Sequence, residues 1–197
     1  VLHLRSGADA PLFCIHPASG FSWQFSVLTR YLQSDCPVIG LQSPRPNGVI
    51  AICDSMDEVC RRHLETIRKI QPRGPYRLLG YSLGGVVAQA IAARLVEEGD
   101  VVDFLGLLDT YPPEIQDWSR PPTEDEEREI EKERALFMNA SKDALDSALA
   151  KEKAEMFGNI MRNYEDSVRL LSTAKTARYP GAATLFVATR TLPPGMD

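Results

Sequence analysis

Residues 76–95 read YRLLGYSLGGVVAQAIAARL, and this stretch decides the fold. Its apolar start is typical of a buried strand, and its apolar second half predicts a helix that is covered on most sides. Between them lies the pattern Gly80-x-Ser82-x-Gly84. At a sharp strand-to-helix turn a serine has a strained backbone, and the two glycines remove Cβ atoms that would clash there. The pattern predicts Ser82 as an exposed nucleophile; the alternative is a glycine-rich turn that only packs helix on strand.

Similar apolar runs occur on both sides of this unit, and each is bounded by proline, glycine or polar residues. These runs predict buried strands at residues 11–16, 37–42, 104–109 and 183–188. Residues 55–71 carry apolar side chains at helical spacing. Because strands alternate with helices, we expect an α/β fold in which a mostly parallel central sheet is flanked by helices.

The alternation breaks between about residues 111 and 178, where prolines precede the acidic run EDEEREIEKER. Within this insertion, six apolar residues recur at spacings of three, four and their sums: Leu149, Phe157, Ile160, Tyr164, Val168 and Leu171. The spacing predicts an amphipathic helix with one apolar face. We interpret the insertion as a helical lid; the alternative is a solvated helical pair with no role beyond stability.

The strand after the Ser82 helix ends in LLDT, which places Asp109 at its carboxyl end. A right-handed crossover puts that strand beside the Ser82 strand, so both side chains face one crevice. We expect the Asp109 carboxylate either to orient the base of a catalytic triad or to cap the loop that follows it. For the oxyanion hole we expect the backbone N–H groups of Leu83, directly after the serine, and of Ala18, in the turn HPASG.

Composition argues against several classes of function. The net charge is −5 and no Lys/Arg-rich stripe is visible, so nucleic acid is not an expected partner. No apolar stretch approaches the roughly 20 residues that cross a bilayer, and the start lacks signal-peptide features, so we expect a cytoplasmic protein. The cysteines show neither a C-x-x-C pair nor zinc-ligand spacing, so we expect reduced thiols and no metal site. These cysteines are Cys14, Cys36, Cys53 and Cys60.

The motifs HPASG, GYSLGG and LLDTYPP together resemble those of the thioesterase domains that end nonribosomal peptide synthetase and polyketide synthase assembly lines. The resemblance covers nearly the whole chain, and the run VIGLQSPRPNG brings it closer to synthetases of siderophores. It implies an α/β-hydrolase fold with a helical lid. It also implies a serine thioesterase without a bound cofactor, which takes an acyl or peptidyl chain from the phosphopantetheine of a carrier domain just N-terminal in the same chain. Hydrolysis, macrocyclisation or oligomerisation then releases the chain.

One member of the expected triad has no suitable candidate, because the order Ser, Asp, His requires a histidine after Asp109. The histidines of the chain are His3, His16 and His63. In the family that the chain resembles, the base lies beyond the point matching Asp197, and a histidine at position 16 is structural. We therefore expect residues 1–197 to form a single thioesterase domain that lacks its C-terminal part. A free-standing editing thioesterase and a catalytically inactive carrier-binding module are the alternatives.

Overall fold

The computed structural model describes residues 1–43, 53–115 and 147–188. The strands in this part of the chain are β1 (Leu2–Arg5), β2 (Leu12–Ile15), β3 (Val38–Leu41), β4 (Tyr76–Tyr81), β5 (Val102–Leu108) and β6 (Thr184–Phe186). They form one sheet in the order β1-β3-β2-β4-β5-β6. β1 is antiparallel to β3, and the other four pairings are parallel. The predicted α/β fold with a mostly parallel sheet is confirmed.

Five of the six strands coincide with the apolar runs of the sequence, and β1 is the strand that the sequence did not predict. β1 is a four-residue edge strand with a half-buried, half-exposed pattern. Leu2 pairs with Gly40 and His3 pairs with Ile39, so β1 is defined by its backbone pairing to β3. Four residues with one charged end give too little periodicity to reveal such a strand in advance.

The described helices are a 3₁₀ helix (Trp23–Arg30), α1 (Met56–Ile70), α2 (Leu83–Glu97), a short 3₁₀ turn (Pro113–Ile115) and α3 (Ser147–Thr173). α1 begins at a Ser55 cap whose hydroxyl accepts a 3.2 Å hydrogen bond from the Glu58 N–H. A serine cap of this kind satisfies one of the N–H groups that the first turn leaves unpaired.

Side chains alternate between two apolar layers along the central strand β2. Phe13 and Ile15 pack into a layer with residues of α1 and α2, whereas Leu12 and Cys14 pack on the other face with Phe25 of the first 3₁₀ helix. All four residues of β2 are buried. A parallel strand covered on both faces has no polar side, which explains why these strands read as uninterrupted apolar runs.

The cysteines are buried and reduced, as the sequence predicted: Cys14, Cys36, Cys53 and Cys60. Burial raises the pKa of Cys60 to about 12, so its thiol stays neutral at physiological pH. Thiols in such apolar surroundings are unreactive.

Candidate active site

The turn between β4 and α2 holds Ser82 in an exposed position with an uncommon backbone conformation. Ser82 has φ 53° and ψ −120°, which residues other than glycine rarely adopt. The turn is tight because β4 and α2 nearly touch. A Cβ on Gly80 would lie 2.0 Å from the carbonyl oxygen of Gly84, and a Cβ on Gly84 would lie 2.3 Å from that of Ile15. Gly80 therefore allows the close approach of β4 to α2, and Gly84 allows that of α2 to β2.

Hydrogen bonds to β5 fix the backbone of the Ser82 turn. The Ser82 N–H donates to the Leu108 carbonyl at 2.9 Å, and the Gly85 N–H donates to the Ser82 carbonyl at 2.9 Å. The Thr110 hydroxyl lies 3.3 Å from the Ser82 carbonyl and 3.0 Å from the Leu108 carbonyl. A strained residue persists only when its surroundings over-determine its conformation, and these contacts do so.

Asp109 follows β5 in a second left-handed backbone position, with φ 43°. Its N–H donates to the Phe186 carbonyl in β6 at 2.7 Å. Tyr81 and Leu108 are register partners in the parallel pair β4 and β5, so Ser82 and Asp109 directly follow two paired residues. The structure thus places these two residues at the same carboxyl edge of the sheet, as the right-handed crossover predicted.

Tyr111 contacts the Asp109 carboxylate, a contact that the sequence analysis missed. Its hydroxyl donates to Asp109 Oδ1 at 3.1 Å. This hydrogen bond to the carboxylate raises the pKa of the Tyr111 phenol. Tyr111 belongs to the loop after Asp109, so this contact fits both roles expected of the carboxylate, and the choice between them stays a prediction. The sequence signal that could have revealed this contact is the tyrosine two residues after Asp109.

The two predicted oxyanion donors flank the same strand ends. Ala18 lies in a turn at residues 17–20, here called the 17–20 turn, which follows β2; Leu83 is the first residue of α2. β2 pairs with β4 through Ile15 and Gly80, so the two backbone segments leave the sheet side by side. No hydrogen bond from the Ala18 N–H occurs within the described residues. The first N–H groups of a helix such as α2 have no intrahelical partner.

Ala18 and Leu83 also line a small cavity of about 20 Å³, which is room for about one water molecule. Its apolar wall comes from α1 and α2 and includes Met56, Val59 and Val87. Its polar wall comes largely from α3. The cavity thus joins residues of the 17–20 turn, α2 and α3, and it is too small to hold an acyl chain.

None of the three histidines is placed as the base of Ser82. His16 and His63 are 4% and 3% exposed, and their ring centroids are 5.3 Å apart with the planes at 57°. His16 Nδ1 lies 2.7 Å from the Pro17 carbonyl oxygen, so this nitrogen carries the proton. Burial, reinforced by His16, holds the pKa of His63 well below its usual 6.5. His3 lies on the edge strand β1, with β3 and β2 between it and β4.

α3 presents a different face from the one that the apolar stripe predicted. Tyr164 and Val168 are 43% and 42% exposed, Ile160 is half-buried and Leu171 is buried. The side chains of Leu149 and Phe157 lie outside the described part. The apolar stripe is therefore not uniformly buried, and its role as part of a lid stays a prediction. The helix instead buries a face that includes two polar residues, Asn163 and Ser167, because both contact the 17–20 turn.

Within the described ranges, no group of three or more His, Cys, Asp or Glu side chains is arranged to hold a metal ion. Among the helices that the structure describes, none combines the length and the apolar character needed to cross a membrane.

Comparison with known proteins shows the family. The family model for the thioesterase domain matches residues 10–197. The chain is 52% identical to vanchrobactin synthetase VabF of Vibrio anguillarum over 197 residues, which is 100% of this chain and 7% of that protein. It is also 52% identical to enterobactin synthase component F of Escherichia coli (strain K12) over 201 residues, 100% of this chain and 15% of that protein. The chain thus spans only a small part of these relatives.

A solved structure gives the same result for the fold. The covalent complex of the NocB thioesterase domain with a fluorophosphonate nocardicin G analog has a TM-score of 0.69 and 24% sequence identity. The match covers 92% of this chain and 72% of that chain. Such a match supports the α/β-hydrolase fold, and together with the family model and the relatives it shows that the chain belongs to the thioesterase domain family.

Proposed function

We propose that this domain releases an acyl or peptidyl chain from the phosphopantetheine of a carrier domain, with Ser82 as the nucleophile. The observation that carries the proposal is the geometry of the strand ends. An exposed serine in a left-handed turn stands at the first turn of α2, beside the unpaired N–H group of Ala18 and the carboxylate of Asp109. These are the nucleophile, an oxyanion donor and the orienting acid of an acyl-transfer site, which also requires a base.

In the proposed acylation step, Ser82 Oγ attacks the thioester carbonyl carbon and transfers its proton to an imidazole base. The N–H groups of Ala18 and Leu83 stabilise the oxyanion that forms, and each such donor typically contributes about 10²–10³ in rate. The carbon–sulfur bond then breaks, and the imidazolium returns the proton to the leaving thiolate. The product is an oxyester on Ser82.

Release repeats this chemistry with a new nucleophile. Water, or a hydroxyl or amine of the bound chain itself, attacks the Ser82 ester and gives a free acid or a cyclic or oligomeric product. Asp109 would hold the imidazole in the tautomer that accepts the proton. We propose that the base is a histidine of the parent protein other than His3, His16 and His63, since two are buried against each other and one lies on the far strand.

α3 is proposed to act as part of a lid of about residues 111–178 over the serine. Its buried face contacts the 17–20 turn and contributes to the cavity beside Ala18 and Leu83. A cover at this position would limit the access of bulk water to the acyl-enzyme. Restricted access favours attack by the chain's own nucleophile over hydrolysis.

The relatives support a siderophore as the product class. Two synthetases, for vanchrobactin and for enterobactin, show the same 52% identity over this whole chain. We therefore propose that the acyl donor is a siderophore intermediate, presented by a carrier domain N-terminal in the same polypeptide. No cofactor of the domain itself enters the proposed chemistry.

The test is intact-protein mass spectrometry of the full-length protein mixed with an acyl-pantetheine thioester. We expect an adduct of the acyl mass on the wild type, none on Ser82→Ala, and an unchanged adduct on the control Ser43→Ala, which alters a serine near the cavity. A fluorophosphonate should label the same serine at a rate that depends on the triad. Acylation that persists in Ser82→Ala contradicts the assignment, and a failure of both reagents favours the inactive carrier-binding module.

A further inference from the structure

The 17–20 turn, which bears the Ala18 N–H, is a closed four-residue turn. The Gly20 N–H donates to the Pro17 carbonyl at 2.9 Å, and the Ser43 N–H donates to the Gly20 carbonyl at 2.8 Å. Closure of the turn leaves the carbonyls of Ala18 and Ser19 without a partner inside the turn. Side chains of α3 contact both of these carbonyls.

Asn163 of α3 provides the principal contact. It is 4% exposed, and its Nδ2 donates to the Ser19 carbonyl at 2.7 Å across 144 positions of sequence. The contact is also sterically close, because a Cβ on Gly20, which has φ +80°, would lie 2.2 Å from Asn163 Nδ2. A buried, short hydrogen bond to a turn packed this closely fixes the position of the turn.

Ser167, one helical turn later, makes the weaker contact. Its hydroxyl lies 3.2 Å from the Ala18 carbonyl but 2.6 Å from the carbonyl of Asn163 in its own helix. A hydroxyl has one hydrogen, so the shorter distance shows that it donates mainly within α3. Asn163 is therefore the residue whose loss should move the turn.

We propose that Asn163 is a positioning residue for the oxyanion hole: it holds the 17–20 turn so that the Ala18 N–H points at the reacting carbonyl. The proposal rests on the proposed function of Ser82 and Ala18. The Asn163 bond goes to the Ser19–Gly20 peptide, and the N–H of that peptide donates to the Pro17 carbonyl of the peptide that carries the Ala18 N–H, so a shift of the turn re-aims the donor. Because Asn163 belongs to α3, the rate of acylation depends on the docking of α3 against the turn.

The test uses Asn163→Asp and Asn163→Ala in the full-length protein, assayed for kcat and KM on an acyl-pantetheine thioester. Asp keeps the shape of Asn but places a carboxylate against the Ser19 carbonyl at neutral pH, so the two oxygens repel. We expect kcat to fall about tenfold with KM changed by less than about twofold, since a misplaced oxyanion donor lowers the rate less than the roughly 10²–10³ of a deleted one.

The pH profile separates positioning from packing. Because position 163 is buried next to a carbonyl oxygen, the pKa of the introduced carboxyl is raised, so the carboxyl becomes protonated as the pH falls and its O–H can donate to the Ser19 carbonyl again. We therefore expect the ratio of Asn163→Asp to wild-type kcat to rise at least about threefold between pH 8 and pH 6, whereas the ratio for Asn163→Ala stays flat. Using a ratio cancels the titration of the catalytic base, which both proteins share.

The matched control is Arg169→Ala, which removes another anchor of α3. The Arg169 guanidinium donates to the Cys53 carbonyl, ahead of α1, and does not contact the 17–20 turn in the described part. We expect its kcat to stay within about twofold of wild type.

A kcat unchanged in Asn163→Ala, a flat ratio for Asn163→Asp, or an equal loss in Arg169→Ala overturns the proposal. If Asn163→Asp fails to fold, the test rests on Asn163→Ala, for which the proposal predicts a lower kcat with little change in KM. Activity that survives Ser82→Ala in the same assay instead overturns the proposed function.

Discussion

Two pairs of polar residues, Ser82 with Asp109 and His16 with His63, differ in how far they are buried. Ser82 and Asp109 stand at neighbouring strand ends, both with left-handed backbones, and Ser82 is exposed. His16 and His63 are buried with their rings in contact. The first pair is lifted out of the sheet by strained backbone, whereas the second is held inside the core, where burial keeps His63 neutral.

The contrast indicates a division of roles. Changes at the strand-end pair should alter the rate of acyl transfer with little effect on the free energy of unfolding. Changes at the histidine pair should alter stability, and its pH dependence, with little direct effect on the chemistry. Each prediction below tests one side of this contrast.

The largest effect is expected for Asp109→Asn. An amide still fits φ 43°, because Asn tolerates left-handed backbone, but it cannot hold the imidazole in the accepting tautomer. We expect kcat to fall by as much as about 10⁴-fold and the melting temperature to stay unchanged. The control is Asp103→Asn on the same strand, an exposed aspartate paired with Arg77, which should keep wild-type kcat. Wild-type turnover in Asp109→Asn makes this residue structural.

The next effect concerns stability against pH in His63→Leu. Because the folded pKa of His63 lies well below 6.5, the wild type loses stability as the pH falls below about 6.5, where the unfolded chain binds a proton that the native state does not. For one proton the slope is at most about 1.4 kcal/mol per pH unit. Chemical denaturation at pH 8 and pH 5 should show that wild type loses more free energy of unfolding over this interval than His63→Leu does. His3→Leu is the exposed control, and equal slopes in wild type and His63→Leu contradict the prediction.

A smaller effect is expected for backbone strain at Ser82. Ser82→Gly relieves the conformation at φ 53°, whereas Ser82→Ala keeps a Cβ and the strain. Both variants should be inactive, but Ser82→Gly should be more stable than Ser82→Ala by about 1 kcal/mol in urea denaturation. Equal free energies of unfolding for Ser82→Gly and Ser82→Ala would show that the backbone conformation at this position costs no measurable stability.

The smallest effect is expected for Tyr111→Phe, which removes the hydrogen bond to Asp109 Oδ1. The bond is exposed, so its loss should lower kcat only about threefold by loosening the carboxylate. Tyr81→Phe is a matched control, since Tyr81 and Tyr111 are each 41% exposed. A loss of similar size in both variants would remove Tyr111 from the site.

The sequence predicted most of the fold and part of the candidate site because the relevant signals are local. Apolar runs identified β2 to β6, and Gly80 and Gly84 identified a turn whose tight geometry the structure reproduces. The neighbouring positions of Ser82 and Asp109 followed from the handedness of one crossover. Their catalytic roles, and those of Ala18 and Leu83, stay predictions until the experiments above are done.

Only the tertiary structure revealed the contacts between distant parts of the chain. The sequence predicts an apolar stripe through Tyr164 and Val168 of α3, yet the helix buries Asn163 and Ser167 where they contact the 17–20 turn. Likewise, no pattern places His16 against His63. By itself the sequence determined the strands, the Ser82 turn and the family resemblance, since backbone sterics and periodicity act over a few residues. The face of α3, the histidine pair and the Tyr111 contact depend on which side chains meet after folding, and local periodicity carries no information on that.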